Sequence, residues 1–275
     1  MGLSTPPPAA DPLERIKQGS KWLWSQGDYT RLATLLEGPA QELATACVRP
    51  GARVLDVGAG NGNFALAAAR LGGDVIASDV TPHMVELGQA RSRAQGLDVS
   101  WLAGDAETLP FSASSFELVA SVFGAMFAPR PELVVAEMFR VARRGGMIAM
   151  AGYGSTGYLG RLSDLISSFS NAPASALPSP FLWGDADEVR RRLAGRASQL
   201  EIQPRTLTFR FDSIEDWRER FADVNPPLMA LKQMLPPPAF EALMGQAVAL
   251  VEELNQAGDG SVVLESSYLV VLAKK

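Results

Sequence analysis

A doubly wound α/β sheet of mostly parallel strands is the fold this sequence predicts, and two observations predict it. Between residues 54 and 151, short apolar runs alternate with helical segments, the pattern of strands joined by crossover helices. The first of those runs, residues 54–57, leads directly into Gly58-Ala59-Gly60-Asn61-Gly62 and then into an Ala-rich segment. That stretch reads as a buried strand, a tight turn with an exposed backbone, and the start of a helix. Its glycines admit conformations closed to residues with a Cβ and let a ligand lie on the main chain.

Taken in order, residues 1–12 are Pro/Ala-rich and read as a disordered tail. Residues 13–48 form an N-terminal helical cover, interrupted at Gly27-Asp28-Tyr29. The core, residues 49–154, begins with the strand at 54–57 and a helix at 64–71 whose small residues pack closely on a sheet. A second strand spans 74–79. Thr81-Pro82 then caps and starts a helix with Met84, Leu87, Ala90 and Ala94 on one face. Strands at 99–102 and 116–122 follow, then a helix at 131–141 that Gly145-Gly146 breaks, and a fifth strand at 147–151. Residues 155–275 supply the remaining strands with helical lid insertions. They include a capping signal at Asp185–Glu188 and a strand at 206–211 with Leu207, Phe209 and Phe211 on one face. A capping box at 213–216, a helix carrying Leu243, Ala247, Leu250 and Leu254, and a closing strand at 266–273 complete the chain.

Length and composition narrow the function classes. The chain has 275 residues, enough for one large domain or a core with a substantial insertion, and an ordinary hydrophobic fraction of 47%. A net charge of −5 argues against a nucleic-acid partner, which calls for a basic face. Cys47, the single cysteine, excludes an intramolecular disulfide and a cysteine-built zinc site and fits a reducing compartment. No metal is expected. There is neither a signal pattern nor an apolar run of about 20 residues, so a cytoplasmic protein without a membrane span is expected. Oligomeric state stays open.

The glycine loop separates two nucleotide-binding readings. A dinucleotide fingerprint needs Gly-x-Gly-x-x-Gly, and its third glycine would fall at Asn63. The chain instead reads Asp56-x-Gly58-x-Gly60-x-Gly62, where Asp56 can orient the turn or accept hydrogen bonds from a cationic ligand. Further acids stand at the ends of successive strands, where open α/β sheets bind ligands. Asp79 can take both ribose hydroxyls of an adenosine. Asp105, in Gly104-Asp105-Ala106-Glu107, can accept the adenine amino group, and Ser121-Val122-Phe123 ends the fourth strand beside the first turn.

These phrases, with residues 75–79, 104–111, 116–119 and 140–146, resemble the class I S-adenosylmethionine (SAM)-dependent methyltransferases. The resemblance is to the subgroup that includes ubiquinone and menaquinone methyltransferases and natural-product tailoring enzymes, and it covers residues 50–152. It implies a seven-stranded, Rossmann-like sheet with a helical lid, SAM as cofactor, and a small-molecule methyl acceptor. Cofactor contacts are implied at Tyr29, Asp56, Gly58, Ala59, Gly60, Gly62, Asp79, Val80, Met84, Asp105, Ala106, Glu107, Ser121 and Val122. Two departures stand out: Arg144 replaces a frequent Pro, and Phe123-Gly124-Ala125-Met126-Phe127 lacks the histidine that many relatives carry after the fourth strand.

The acceptor side is read from residues alone. Trp24, Phe123, Met126, Phe127, Tyr153 and Tyr158 line an apolar substrate pocket in one reading and pack a core in the other. Trp183, Trp217, Met229 and Met234 are weaker lid candidates. His83 is the single histidine and Cys47 the single thiol; each is weighed as a catalytic group against an ordinary surface or packing role. Arg190-Arg191-Arg192 reads as a solvated helix face. No catalytic base is named. The expected function is methyl transfer from SAM to a small apolar or aromatic molecule, with secondary-metabolite tailoring favoured. The alternatives are a quinone-type C-methyltransferase, a non-catalytic SAM-binding sensor or partner module, and a nicotinamide oxidoreductase.

Overall fold

The computed structural model describes residues 11–170 and 177–275; the tail expected at residues 1–12 therefore lies outside the described residues except at its end. There, Asp11 accepts a hydrogen bond from the Leu13 amide and Pro12 opens helix α1 (Pro12–Trp24), so these two residues are cap and first turn rather than tail. Helices α2 (Tyr29–Thr34) and α3 (Glu37–Cys47) complete the N-terminal segment. The core then runs β1 (Arg53–Val57), α4 (Asn63–Arg70), β2 (Asp74–Asp79), α5 (Pro82–Ala94), β3 (Val99–Ala103), β4 (Phe116–Val122), α6 (Pro131–Val141) and β5 (Ala142–Gly157). After it come α7 (Tyr158–Phe169), α8 (Ala186–Leu193), β6 (Gln199–Phe211), α9 (Ile214–Arg220), α10 (Pro226–Met234), α11 (Pro237–Leu254) and β7 (Val262–Lys274).

All seven strands form one sheet in the order β3-β2-β1-β4-β5-β7-β6. The pairs from β3 across to β5 are parallel, and β7 runs antiparallel to both β5 and β6. The expected doubly wound, mostly parallel sheet is thus present. Successive residues of β1 enter different cores: Val54 packs with α3 and α4, while Leu55 and Val57 pack with α6 on the other face. A strand covered on both faces reads as a continuous apolar run, which is why residues 54–57 stood out. Strand order reverses between β1 and β4, and the crevice at their carboxyl ends is the ligand-binding position of such sheets.

Several local expectations change. Helix α5 buries Met84, Val85, Gly88 and Ser92, whereas Ala90 and Ala94 are exposed. The cause is Trp101 on β3, whose ring lies so close that a Cβ on Gly88 would stand 2.1 Å from it; its Nε1 donates to Ser92 Oγ at 3.2 Å. Beyond its first turn, small residues rather than apolar ones make that face. Gly145-Gly146 does not break α6, which ends at Val141 as Ala142 turns extended. The glycines instead join the sheet's end, Gly145 N–H donating to the Lys275 carbonyl and Gly146 accepting from the Lys275 amide, each at 3.0 Å. Arg192 is not on a solvated face. Its guanidinium is buried over the Trp183 ring at 4.7 Å and paired with Glu188, while Arg190 and Arg191 are exposed. Asp185 and Ser213 cap α8 and α9 as expected, and the Asp216 carboxylate accepts from the Asp212 amide at 3.0 Å. No described helix is long and apolar enough to cross a membrane.

Because the α5–β3 contact leaves no room at Gly88, Gly88→Val should cost about 1–3 kcal/mol by overpacking. A urea unfolding midpoint checks this, and a second change of Trp101→Leu should recover part of the loss.

Candidate active site

The site is built where β1 and β4 end. Gly58, at φ +67°, comes so near the chain after β4 that a Cβ would lie 2.7 Å from Ala125 N. Reciprocally, a Cβ on Gly124 would lie 1.9 Å from the Gly58 carbonyl oxygen. The two loops therefore meet backbone to backbone. Ser121, at the end of β4, braces the contact by accepting the Ala125 amide on Oγ at 2.9 Å. Gly62 serves another purpose from the one expected: a Cβ there would strike Trp101 at 2.6 Å, so it seats α4 against β3 and faces no cavity.

Two carboxylates are buried beside the loop. Asp79, ending β2, accepts the Gly60 and Thr81 amides at 2.9 Å each. Burial pushes its carboxyl above the usual range, against those hydrogen bonds. Asp56 accepts the Ala65 amide at 3.0 Å, and burial, with Asp79 nearby, raises it to about 7. Ser78 Oγ and Asn61 Nδ2, buried near these acids, have no hydrogen-bond partner among the described residues. A third acid, Asp105, is half-buried and meets Lys17 of α1 at 2.5 Å. Glu107 is a strut rather than a ligand group. Its fully buried carboxylate pairs with Lys17 at 2.6 Å and Arg130 at 2.7 Å, and it does not reach a cavity.

Three cavities converge here. One of about 90 Å³ is lined by Gly58, Gly60, Asp79, Val80, Met84, Asp105 and Ala106, together with Lys17, Ser20 and Trp24 of α1. A pocket of about 20 Å³ beside it is lined by Asp56, Ala59, Asn61 and Val122. The third is an apolar chamber of about 270 Å³, bounded by α7, α10, Phe181, Phe209 and Phe221. The first cavity and the chamber share a wall of aromatic rings alone: Trp24, Tyr29, Phe123 and Phe127. Trp24 packs on Phe127 at 4.8 Å between centroids and meets Tyr29 edge-on at 6.1 Å. Phe123 holds a left-handed backbone at φ +56° and stacks on Tyr153 at 4.0 Å. A strained non-glycine residue at a cavity wall is a common mark of function.

With this geometry in view, the comparisons are informative. The methyltransferase domain family matches residues 55–150. Over 257 residues the chain is 34% identical to an uncharacterized protein of Mycobacterium tuberculosis (strain ATCC 25618 / H37Rv), covering 92% of this chain and 93% of that one. It is also 34% identical over 159 residues to a demethylmenaquinone methyltransferase of Renibacterium salmoninarum, covering 53% of this chain and 65% of the relative. The chain belongs to the class I SAM-dependent methyltransferases. Its fold is shared with the YcgJ protein of Bacillus subtilis, at a TM-score of 0.57 and 19% identity over 90% of this chain and 98% of that one.

In this methyltransferase the cofactor is SAM, and the first cavity fits it chemically. The Asp79 and Asp105 carboxylates line it as acceptors suited to hydroxyl and amino donors, and Val80, Met84 and Ala106 offer apolar flanks. Of the acceptor-side residues named from sequence, Trp24, Phe123, Phe127 and Tyr153 reach the chamber. Met126 and Tyr158 do not. Met126 is core, and the Tyr158 hydroxyl is spent accepting from Trp217 Nε1 at 2.8 Å, with both side chains buried. Trp183 and Trp217 are also core, and Met234 is exposed away from the cavities. His83 is exposed on α5 and Cys47 is half-buried at the end of α3, its thiol pushed up to about 11 by burial; neither lines one of these cavities. Lys17 and most of the chamber wall were missed from sequence. Lys17 stands 88 residues from Asp105 in the chain, with no local pattern to join them.

The raised Asp56 carboxyl sets a pH dependence with a definite sign. Below the unfolded carboxylate range the preference is fully present; it is lost as pH rises through about 7, where the folded carboxyl must ionise. Melting temperatures of the cofactor-free protein should therefore fall between about pH 4 and pH 7 more steeply than those of Asp56→Asn.

Proposed function

We propose that this methyltransferase methylates a small apolar or aromatic acceptor held in the 270 Å³ chamber, in the tailoring of secondary metabolites. The observation that carries the reading is the shared aromatic wall, which sets an apolar chamber directly against the cavity fitted to SAM. On this reading Asp79 takes the ribose hydroxyls and Asp105 the adenine amino group, between Val80, Met84 and Ala106. Gly58, Ala59 and Gly60 carry the methionine part on their backbone, and Asp56 and Val122 stand at its amino-acid end. The buried, twice-bonded Asp79 carboxylate supports its assignment, because its oxygens are already oriented by the Gly60 and Thr81 amides.

SAM supplies an electrophilic methyl on a sulfonium with a thioether leaving group. The chain's own contribution is alignment and exclusion of water. Lys17, Ser20 and Trp24 of helix α1 line the cofactor cavity, and the Trp24 and Phe127 rings pack together where that cavity borders the chamber. Alignment of this kind supplies roughly 7–11 kcal/mol in favourable cases. A quinone-type acceptor is the second reading, favoured by the likeness to the Renibacterium salmoninarum demethylmenaquinone methyltransferase over about half of this chain.

Asp79→Ala should weaken SAM binding by roughly 100-fold or more, since charge-assisted hydrogen bonds contribute about 1.5–3 kcal/mol each. Calorimetric titration checks this, and unchanged affinity would remove the ribose assignment. On the chamber side, Ile166→Trp should raise the acceptor KM about tenfold while SAM affinity stays within about twofold, because Ile166 lines only the chamber. Steady-state kinetics with a methylated acceptor, beside calorimetry, separates the two effects.

A further inference from the structure

The chemistry missing from the chamber is as informative as its walls. Tyr29 and Tyr153 are the ionisable residues among those that line it, and residues 1–10 and 171–176 carry no ionisable side chain in the sequence. Burial pushes both tyrosine hydroxyls up, so neither takes a proton from an acceptor near neutral pH. No lysine or arginine stands in the wall to hold a carboxylate or phosphate, and no aspartate or glutamate to hold an ammonium. What the wall shared with the cofactor cavity does offer is four aromatic rings.

We propose that the acceptor is an uncharged lipophilic amine, methylated at nitrogen where the chamber meets the cofactor cavity, among the rings of Trp24, Tyr29, Phe123 and Phe127. This rests on the chamber being the acceptor site. The nitrogen lone pair forms the new N–C bond as the S–C bond breaks, its electron pair passing to sulfur to leave a thioether. The positive charge moves from sulfur to nitrogen. It stays against ring faces, which attract a desolvated cation by about 2 kcal/mol or more. A secondary amine then loses its extra proton to water after release, so the transfer itself needs no base. Oxygen and carbon acceptors fare worse. An alcohol or phenol must give up a proton, a phenolate must enter an apolar chamber as an ion, and a ring carbon must shed its hydrogen after attack. The chamber also selects against a protonated amine, because burial without a carboxylate partner favours the neutral form.

The test uses three acceptors of one shape with the full chain and SAM: N-methyl-1-naphthylamine, 1-naphthol and 1-naphthoic acid. The amine is expected to give its N,N-dimethyl product at least about tenfold faster than the naphthol is methylated at oxygen or carbon. Calorimetry with S-adenosylhomocysteine present is expected to show the acid binding at least about tenfold more weakly than the amine. Preferred methylation of the naphthol, equal binding of the acid, or no methylation of any of the three by protein that binds SAM overturns the assignment. Protein that fails to bind SAM overturns it too, and takes the reading of the cofactor cavity with it.

Discussion

Everything at this site depends on two backbones meeting with no side chain between them. The Gly58 and Gly124 main chains touch at the end of β1 and β4, and neither position has room for a Cβ. That contact lies at the strand-order reversal, where the sheet already opens a crevice. It draws the glycine loop and the turn after β4 together, so the residue before Gly124 has little freedom. Phe123 accordingly sits at φ +56°, its amide donating to the Ala151 carbonyl at 2.9 Å and its ring stacked on Tyr153. Backbone strain of this kind costs on the order of 1–3 kcal/mol and persists only where the surroundings over-determine it. Here the glycine contact on one side and the ring stack on the other do so.

The same junction divides two kinds of chemistry. The carboxyl ends of the parallel strands contribute buried acids, Asp56 and Asp79, to one side. The segments flanking the core contribute rings and aliphatic side chains to the other. Evolution of a new acceptor on such a scaffold would alter the flanks and leave the strand ends alone, which fits a family match confined to residues 55–150.

How much was legible follows from which forces act locally. Strand β2 and helix α6 have the bounds expected from sequence, because burial on both sheet faces and a Pro-led helix start write themselves into consecutive residues. Strands β5, β6 and β7 run well past their apolar stretches. Their antiparallel pairing carries on through polar positions such as Arg205 and Glu265, which a search for hydrophobic runs passes over. The buried face of α5 was misread because Gly88 and Ser92 are small rather than apolar, and Trp101 decides the matter from another strand. The strand-end acids could be placed at the site in advance, since each lies at a fixed point in a βα repeat. The chamber could not. Its wall is gathered from α1, the turn after β4, α7, β6 and α10, and no spacing in the chain links them.

Helix α1 lines the cofactor cavity through Lys17, Ser20 and Trp24 yet contains no buried residue. It is tied down by the Lys17 ion pairs with Asp105 and Glu107 and, at its end, by the Trp24 ring contacts. Lifting it breaks these attachments without opening either hydrophobic core. In free-energy terms it belongs to the shallowest layer of the molecule, able to detach many times while the sheet never unfolds. Its amide hydrogens would then exchange with solvent on a faster clock than those of β1 or β4. Detachment of that layer, rather than global unfolding, would then be enough to remove the part of the cavity wall that α1 supplies.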